Sequence, residues 1–228
     1  MKEKEYMRLE SDSIGTMEVP EDAYYGVQAL RAKENFPITG TKLHPVFIKN
    51  LAKIKRAAAI TNRKAGRLKP EIANAIEASA NEVICGMFDK DFIVDGIQGG
   101  AGTSANMNMN EVIANRAIEM LCGKKGDYTI VHPNDHVNMA QSANDVIPTA
   151  GKLTVLDLLK PLDKSLSLLT DALYDKAAAF DHIVKIGRTQ LEDAVPMRLG
   201  QTFHSYATMI SRDRDRLTKV RTEMYPVN

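Results

Sequence analysis

Val155-Leu156-Asp157-Leu158-Leu159-Lys160-Pro161-Leu162-Asp163-Lys164-Ser165-Leu166-Ser167-Leu168-Leu169-Thr170-Asp171-Ala172-Leu173 decides the fold. Val155, Leu159, Leu162, Leu166, Leu169 and Leu173 recur at alternating spacings of four and three, the seam of a long packed helix. Pro161 removes one backbone donor and crowds the preceding turn, which predicts a bend there. Past the polar stretch 187–196 a second long helix is expected, with Phe203, Ala207, Ile210, Leu217 and Met224 on one stripe. Its charged run Arg212-Asp213-Arg214-Asp215-Arg216 reads as a solvated or salt-bridged face. Two helices form only an αα-hairpin with apolar surface left over, so a second chain or further polypeptide is expected to cover the seam.

Toward the N-terminus the periodicity stays helical. From Pro45, Phe47, Leu51, Ile54 and Ala58 share one face, with Gly66 as the stop. Pro70 suits a first helical turn and precedes Ile72, Ile76, Val83 and Ile84. A third helix is predicted over 104–122, with Val112, Ile113, Ala117, Met120 and Leu121 inward and Gly123 as its C-terminal cap. Strand signals are confined to residues 7–9 and 17–19 around Gly15, a small hairpin. The fold class is therefore mainly α. The change in pattern near residue 145 divides the chain into domains 1–144 and 145–228.

Composition narrows the function. The 228 residues carry 30 Lys+Arg against 29 Asp+Glu, a formal charge of +1, which argues against a general nucleic-acid binder. Such a length buries a sizeable core without a disulfide or metal staple. Cys85 and Cys122 fit neither a disulfide framework nor a CxxC pattern and are expected to be small buried hydrophobes. Residues 1–12 are charged and lack a secretory signal's apolar stretch, and no apolar run approaches the ~20 residues of a membrane span. The expectation is a soluble cytoplasmic protein.

Three polar segments interrupt the helices. Gln98-Gly99-Gly100-Ala101-Gly102-Thr103-Ser104, leading into Asn106, Asn108 and Asn110, puts glycines before a helix start, where free N–H groups and the helix dipole favour an anion. No Gly-Lys-Ser/Thr follows, so it is not a nucleotide-binding loop; a turn capped by Thr103 or Ser104 is the plainer alternative. In His132-Pro133-Asn134-Asp135-His136-Val137-Asn138 the two histidines stand four apart, but Pro133 and the Asn-Asp pair make a turn, and no intervening glutamate suggests a metal site. Gln141-Ser142-Ala143-Asn144 follows, with Ser142 and Asn144 able to cap the next helix. The third segment is Gly187-Arg188-Thr189-Gln190-Leu191-Glu192-Asp193-Ala194-Val195-Pro196. No spacing certifies a nucleophile–base or paired-carboxylate arrangement. The residues alone give a helical protein with three uncharged, donor-rich loops.

Taken together in order, Gly100-Ala101-Gly102-Thr103-Ser104-Ala105-Asn106-Met107-Asn108-Met109-Asn110-Glu111-Val112, His132-Pro133-Asn134-Asp135-His136-Val137-Asn138 with Gln141-Ser142, and Gly187-Arg188-Thr189-Gln190 resemble the aspartase/fumarase superfamily. The resemblance runs from near Arg8 essentially to Asn228. Ala23-Tyr24-Tyr25-Gly26-Val27-Gln28, Glu34-Asn35-Phe36-Pro37-Ile38 and Gln190 resemble the aspartase branch more than the fumarases. The resemblance implies an N-terminal helical domain followed by the first long helices of a central bundle. It also implies reversible deamination of L-aspartate to fumarate and ammonia with no organic cofactor, and a homotetramer in the complete enzyme. By the same resemblance Thr103 and Ser142 hold the β-carboxylate, Asn144 and Gln190 lie by the amino group, and Thr189 holds the α-carboxylate. His132, Asn134 and Asp135 match a second, peripheral anion site.

Two departures stand out. Ala143 occupies a position where the family usually has threonine or serine, and losing one oxyanion donor typically costs on the order of 10²–10³ in rate. The family's general base is a serine on a Gly-Ser-Ser loop, followed by a lysine and an asparagine; no such motif occurs in these residues. The expectation is therefore the N-terminal part of such an enzyme, with no catalytic base of its own and silent alone. The alternatives are a fumarase-type hydratase and a non-catalytic helical relic or partner chain that binds a homologue through the 159–173 seam.

Overall fold

A computed structural model describes residues 6–227. They fall into two compact units, one reaching to Thr154 and the other spanning Val155–Pro226.

The first unit opens on the expected hairpin, β1 (Met7–Ser11) and β2 (Thr16–Pro20), antiparallel from Met7↔Pro20 to Ser11↔Thr16. Asp12 makes the turn, its carboxylate accepting the N–H groups of Ile14 and Gly15 while Arg31 clamps it. Arg8 is buried and donates to the carbonyls of Pro20, Ala23 and Tyr25, which fixes the chain leading into α1 (Val27–Asn35). α2 (Pro45–Lys64) and α3 (Pro70–Ile84) begin with their prolines at the first turn, where no backbone donor is lost. They pack on each other and on α4 (Thr103–Met120).

α4 is the axis of this unit. Every residue from Ala105 to Asn115 is buried, as are Ala117 and Ile118. The core gathers around it: Ile48 and Leu51 from α2, Ile76 and Val83 from α3, and Val137, Val146 and Ala150 from the chain that follows. Because α4 is enclosed all round, its polar residues must find protein partners or leave costly unpaired groups. Asn108 bonds the backbone at Asp91 and Ile93; Asn115 takes the Gly126 N–H and donates to the Tyr24 carbonyl.

Two expectations change here. Cys85 and Cys122 are exposed, not buried, because each sits at a helix end, Cys85 capping α3 and Cys122 just past α4. The left-handed residue closing α4 is Cys122 (φ 62) in place of Gly123, whose missing side chain instead makes room for Ile130 and Ile118.

α5 (Ala143–Ala179) belongs to the first unit up to Thr154 and to the second from Val155. It stays helical through Pro148 and Pro161. In the second unit it pairs antiparallel with α6 (Leu199–Glu223): Arg214 bridges to Asp163, His204 stacks edge-on to Tyr174 with centroids 5.5 Å apart, and Gly200 lets the α6 backbone touch the Ala177 carbonyl. The expected inner stripe holds, with Ala207 buried and Phe203, Ile210, Leu217 and Met224 half-buried. The segment between the helices is a second hairpin, β3 (Val184–Thr189) and β4 (Glu192–Arg198), where the residue pattern predicted only a polar loop. Its strands lie mostly exposed, so they lack the alternation of apolar and polar residues that betrays a half-buried sheet.

Candidate functional site

Two helix starts meet at the top of the first unit. Gly102 precedes α4 in a left-handed conformation (φ 82), and a side chain there would lie 2.7 Å from Ile147, one turn into α5. Only a glycine satisfies both the backbone angle and that approach. The beginnings of α4 and α5 are thereby held side by side, so both positive dipole ends serve one region.

Thr103, the first residue of α4, is exposed, and its hydroxyl makes no hydrogen bond to the described residues. It is not the helix cap; Gly102 occupies that position without a side-chain bond. The N–H of Ala105, third residue of α4, is taken by Gln98 at 2.6 Å. Ser142 immediately precedes α5: its hydroxyl oxygen accepts the Asn144 N–H at 3.2 Å and its carbonyl accepts the N–H groups of Asp145 and Val146. A hydroxyl that only accepts retains its own proton for an incoming anion. Thr103 and Ser142 thus face solvent at neighbouring helix starts, and Asn144 lies exposed on the first turn of α5.

Beneath them sits a residue that the sequence reading passed over. Lys55, from the middle of α2, has 0% of its surface exposed. Its ammonium donates to Asn106 Oδ1 (2.7 Å), Asn138 Oδ1 (2.8 Å) and Gln141 Oε1 (3.1 Å). Asn106 lies three residues past Thr103, and Gln141 immediately precedes Ser142. Asn138 completes the tie, accepting from Asn106 and donating to the Gln141 carbonyl, both at 3.1 Å. Gln141 in turn donates to the carbonyls of Val137 and Met139. Loss of hydration pulls the Lys55 amine down to about 7. A signal existed: Lys55 stands four residues from both Leu51 and Ala59, on the buried face of α2.

The His132 turn is bonded within itself. His132 Nδ1 accepts the N–H groups of Asn134 (3.2 Å) and Asp135 (3.1 Å), and His136 Nδ1 accepts that of His132. These bonds require His132 Nδ1 to be unprotonated, so its 3.4 Å approach to Asp135 is not an ion pair in that state. Burial lowers the His136 imidazole. His132, Asn134 and Asp135 therefore form a compact polar turn whose two N–H groups are already engaged.

Thr189 and Gln190 belong to the second unit. Thr189 ends β3, while Gln190 (φ 51) and Leu191 (φ 66) form the tight turn into β4 with both residues left-handed.

A second buried polar cluster lies in the first unit. The N–H groups of Gly26, Gln28 and Ala29 all donate to Glu111, and that of Val27 to Glu10, so α1 is capped by carboxylates distant in sequence. Glu10 also accepts Arg8 and the Tyr128 hydroxyl. Burial drives the Glu111 carboxyl up to about 7 against the opposing pull of its backbone donors, with Glu10 adding to the rise. The cluster fixes the start of α1. Among the described residues no set of three or more His, Cys, Asp or Glu side chains gathers in a metal-holding arrangement, and no helix is long and apolar enough to cross a membrane.

A lyase family model matches residues 15–227. The chain is 50% identical over 222 residues to an aspartate ammonia-lyase from a Bacillus species, covering 97% of this chain and 47% of that protein. It is 52% identical over 214 residues to a class II fumarate hydratase from Halobacterium salinarum, covering 93% and 45%. A crystal structure from Brucella melitensis, described as fumarate lyase:delta crystallin, superposes with a TM-score of 0.93 at 46% identity, over 98% of this chain and 52% of that one. The chain spans about half the length of the curated relatives it matches.

Proposed function

From a chain that belongs to the lyase family, we propose an aspartate ammonia-lyase, which deaminates L-aspartate reversibly to fumarate and ammonia. The observation that carries this reading is the pairing of the α4 and α5 starts, which presents the Thr103 and Ser142 hydroxyls at two adjoining positive helix ends.

The chemistry asks for such a surface. Removing the Cβ proton of aspartate leaves an enediolate on the β-carboxylate. Fixed, uncharged donors stabilise that developing charge without reorganising. Thr103 and Ser142 hold the β-carboxylate with Asn144 by the amino group; in a site that combines residues from several copies of the chain, Gln190 also lies by the amino group and Thr189 receives the α-carboxylate. Of the matched outer anion site, His132 and Asn134 can offer an imidazole N–H and a side-chain amide; Asp135 offers no donor, since its N–H is given to His132 and its carboxylate only accepts. Ala143 opens α5 without the hydroxyl usual there and slows turnover.

The base that takes the Cβ proton is a serine on polypeptide outside these 228 residues, which alone are inactive; the span of about half the relatives' length supports this. The exposed Leu162, Leu168 and Leu169 on α5 and Met209 on α6 support assembly into a homo-oligomer, a tetramer in the complete enzyme. The likeness to a class II fumarate hydratase favours one second reading, in which the same enediolate expels hydroxide.

Mixing this chain with the complementary C-terminal half of a relative, and following fumarate absorbance from L-aspartate and from L-malate, tests the assignment. Fumarate formed from aspartate in the mixture alone is the expected result. Turnover of malate in its place would transfer the assignment to the hydratase.

A further inference from the structure

A fully buried ammonium surrounded only by neutral amides is an expensive arrangement. Lys55 donates to three side-chain carbonyl oxygens, and no carboxylate among the described residues pairs with it. Loss of hydration is the sole cause of its lowered basicity. Were the role of this residue only to join α2 to α4, an apolar side chain would do so without desolvating a charge. The three acceptors explain the placement. Asn106 lies on the first turn of α4 behind Thr103. Asn138 and Gln141 begin and end the turn that delivers Ser142, and Asn138 also holds the Gln141 carbonyl. Below about pH 7 one cation therefore ties together side chains beneath both candidate carboxylate-holding hydroxyls, with no carboxylate to balance its charge.

We propose that Lys55 is a positioning residue of this site, which holds the start of α4 against the 138–142 turn and biases the region toward a dianion over a monoanion. The inference rests on the dicarboxylate reading above. Coulomb attraction grows with the charge of the anion, whereas a purely structural tie would act on both kinds of anion alike.

The test uses the 228-residue chain, the unreactive dicarboxylate succinate and the monocarboxylate butyrate, read by amide shifts of Thr103, Ser104, Ser142 and Asn144. The unchanged chain is expected to bind succinate more tightly than butyrate. Lys55→Met, which keeps length and removes charge and donors, is expected to weaken succinate about tenfold and butyrate several times less. Equal loss for both anions, or an unchanged succinate affinity, overturns the proposal and leaves the dicarboxylate reading standing. If the unchanged chain takes up no succinate at all, that reading fails and the proposal fails with it. A measurement free of folding artefacts uses the unchanged chain with ¹³C-labelled lysine: the Lys55 Cε signal should move with succinate more than with butyrate. A signal that stays in place at succinate saturation also overturns the proposal.

Discussion

The two units hold themselves together in opposite ways. In the first, α4 is enclosed on every side, and its asparagines and Glu111 are almost all satisfied by partners far away in sequence. In the second, α5 and α6 meet along one stripe and leave Leu158, Leu162, Leu168, Leu169, Tyr206 and Met209 exposed. Polar residues are inside the first unit and apolar residues outside the second. A unit that closes its own core can bury polar groups, because three or four elements surround each one and supply partners. The second unit has only two helices and an exposed hairpin, so its surplus apolar face stays open among the described residues.

Core truncation sharpens this contrast most. Leu51 is 1% exposed in the first unit and Leu169 is 46% exposed in the second. Leu51→Ala should cost about 2–5 kcal/mol, whereas Leu169→Ala should stay within about 0.5 kcal/mol. Hydrogen exchange resolved by unit measures both. A loss at Leu169 as large as at Leu51 would show that the open face is already covered in solution.

The next effect is on pH dependence, and it separates the units because the strongly shifted buried groups lie in the first. Glu111 has its folded-state value raised to about 7 from 4.5, so the folded state holds the extra proton and stability falls as pH rises from 4.5 to 7. Lys55 has its value lowered to about 7 from 10.5, so the unfolded state holds the extra proton and stability climbs from pH 7 to 10.5. The lowered His136 opposes the first trend and the lowered Lys125 reinforces the second. Chemical denaturation of Glu111→Gln beside the unchanged chain should show the fall between pH 4.5 and 7 reduced in the variant. Identical slopes would mean that Glu111 titrates in the fold as it does in an unfolded chain.

The smallest effect sits at the tip of the second hairpin. Leu191 is fully exposed yet left-handed (φ 66), a conformation that costs an ordinary residue about 1–2 kcal/mol. Leu191→Gly should therefore stabilise the second unit by about 1 kcal/mol, seen as slower exchange across β3 and β4, without change in the first unit. A destabilised variant would mean that this leucine makes contacts that outweigh its strain.

Much of the architecture could be read directly, for reasons that differ by element. α2 and α3 announced themselves through proline at the first turn and regular apolar spacing, both local properties. The β1–β2 hairpin was marked by Gly15 between two short runs. The β3–β4 hairpin carried no such mark: its strands are exposed and its turn is Gln190-Leu191, not a glycine pair. α1 was also missed, since its N-terminal cap is built by Glu10 and Glu111 and not by a neighbouring side chain. At the candidate site, Thr103, Ser142 and Asn144 stood out as uncharged donors beside helix starts. Lys55 did not, because a lysine on a helix is ordinarily solvated.

The amino-acid sequence by itself determined the longer helices, the inward faces of α2, α3, α4 and α6, and the donor-rich loops, because periodicity, proline and glycine act within a few residues of themselves. Only the tertiary structure decided which of those loops are neighbours and which charges lie inside. That choice depends on groups far apart in the chain, such as Gly102 against Ile147 or Lys55 beneath Asn106 and Gln141, and their meeting follows from the packing of whole helices.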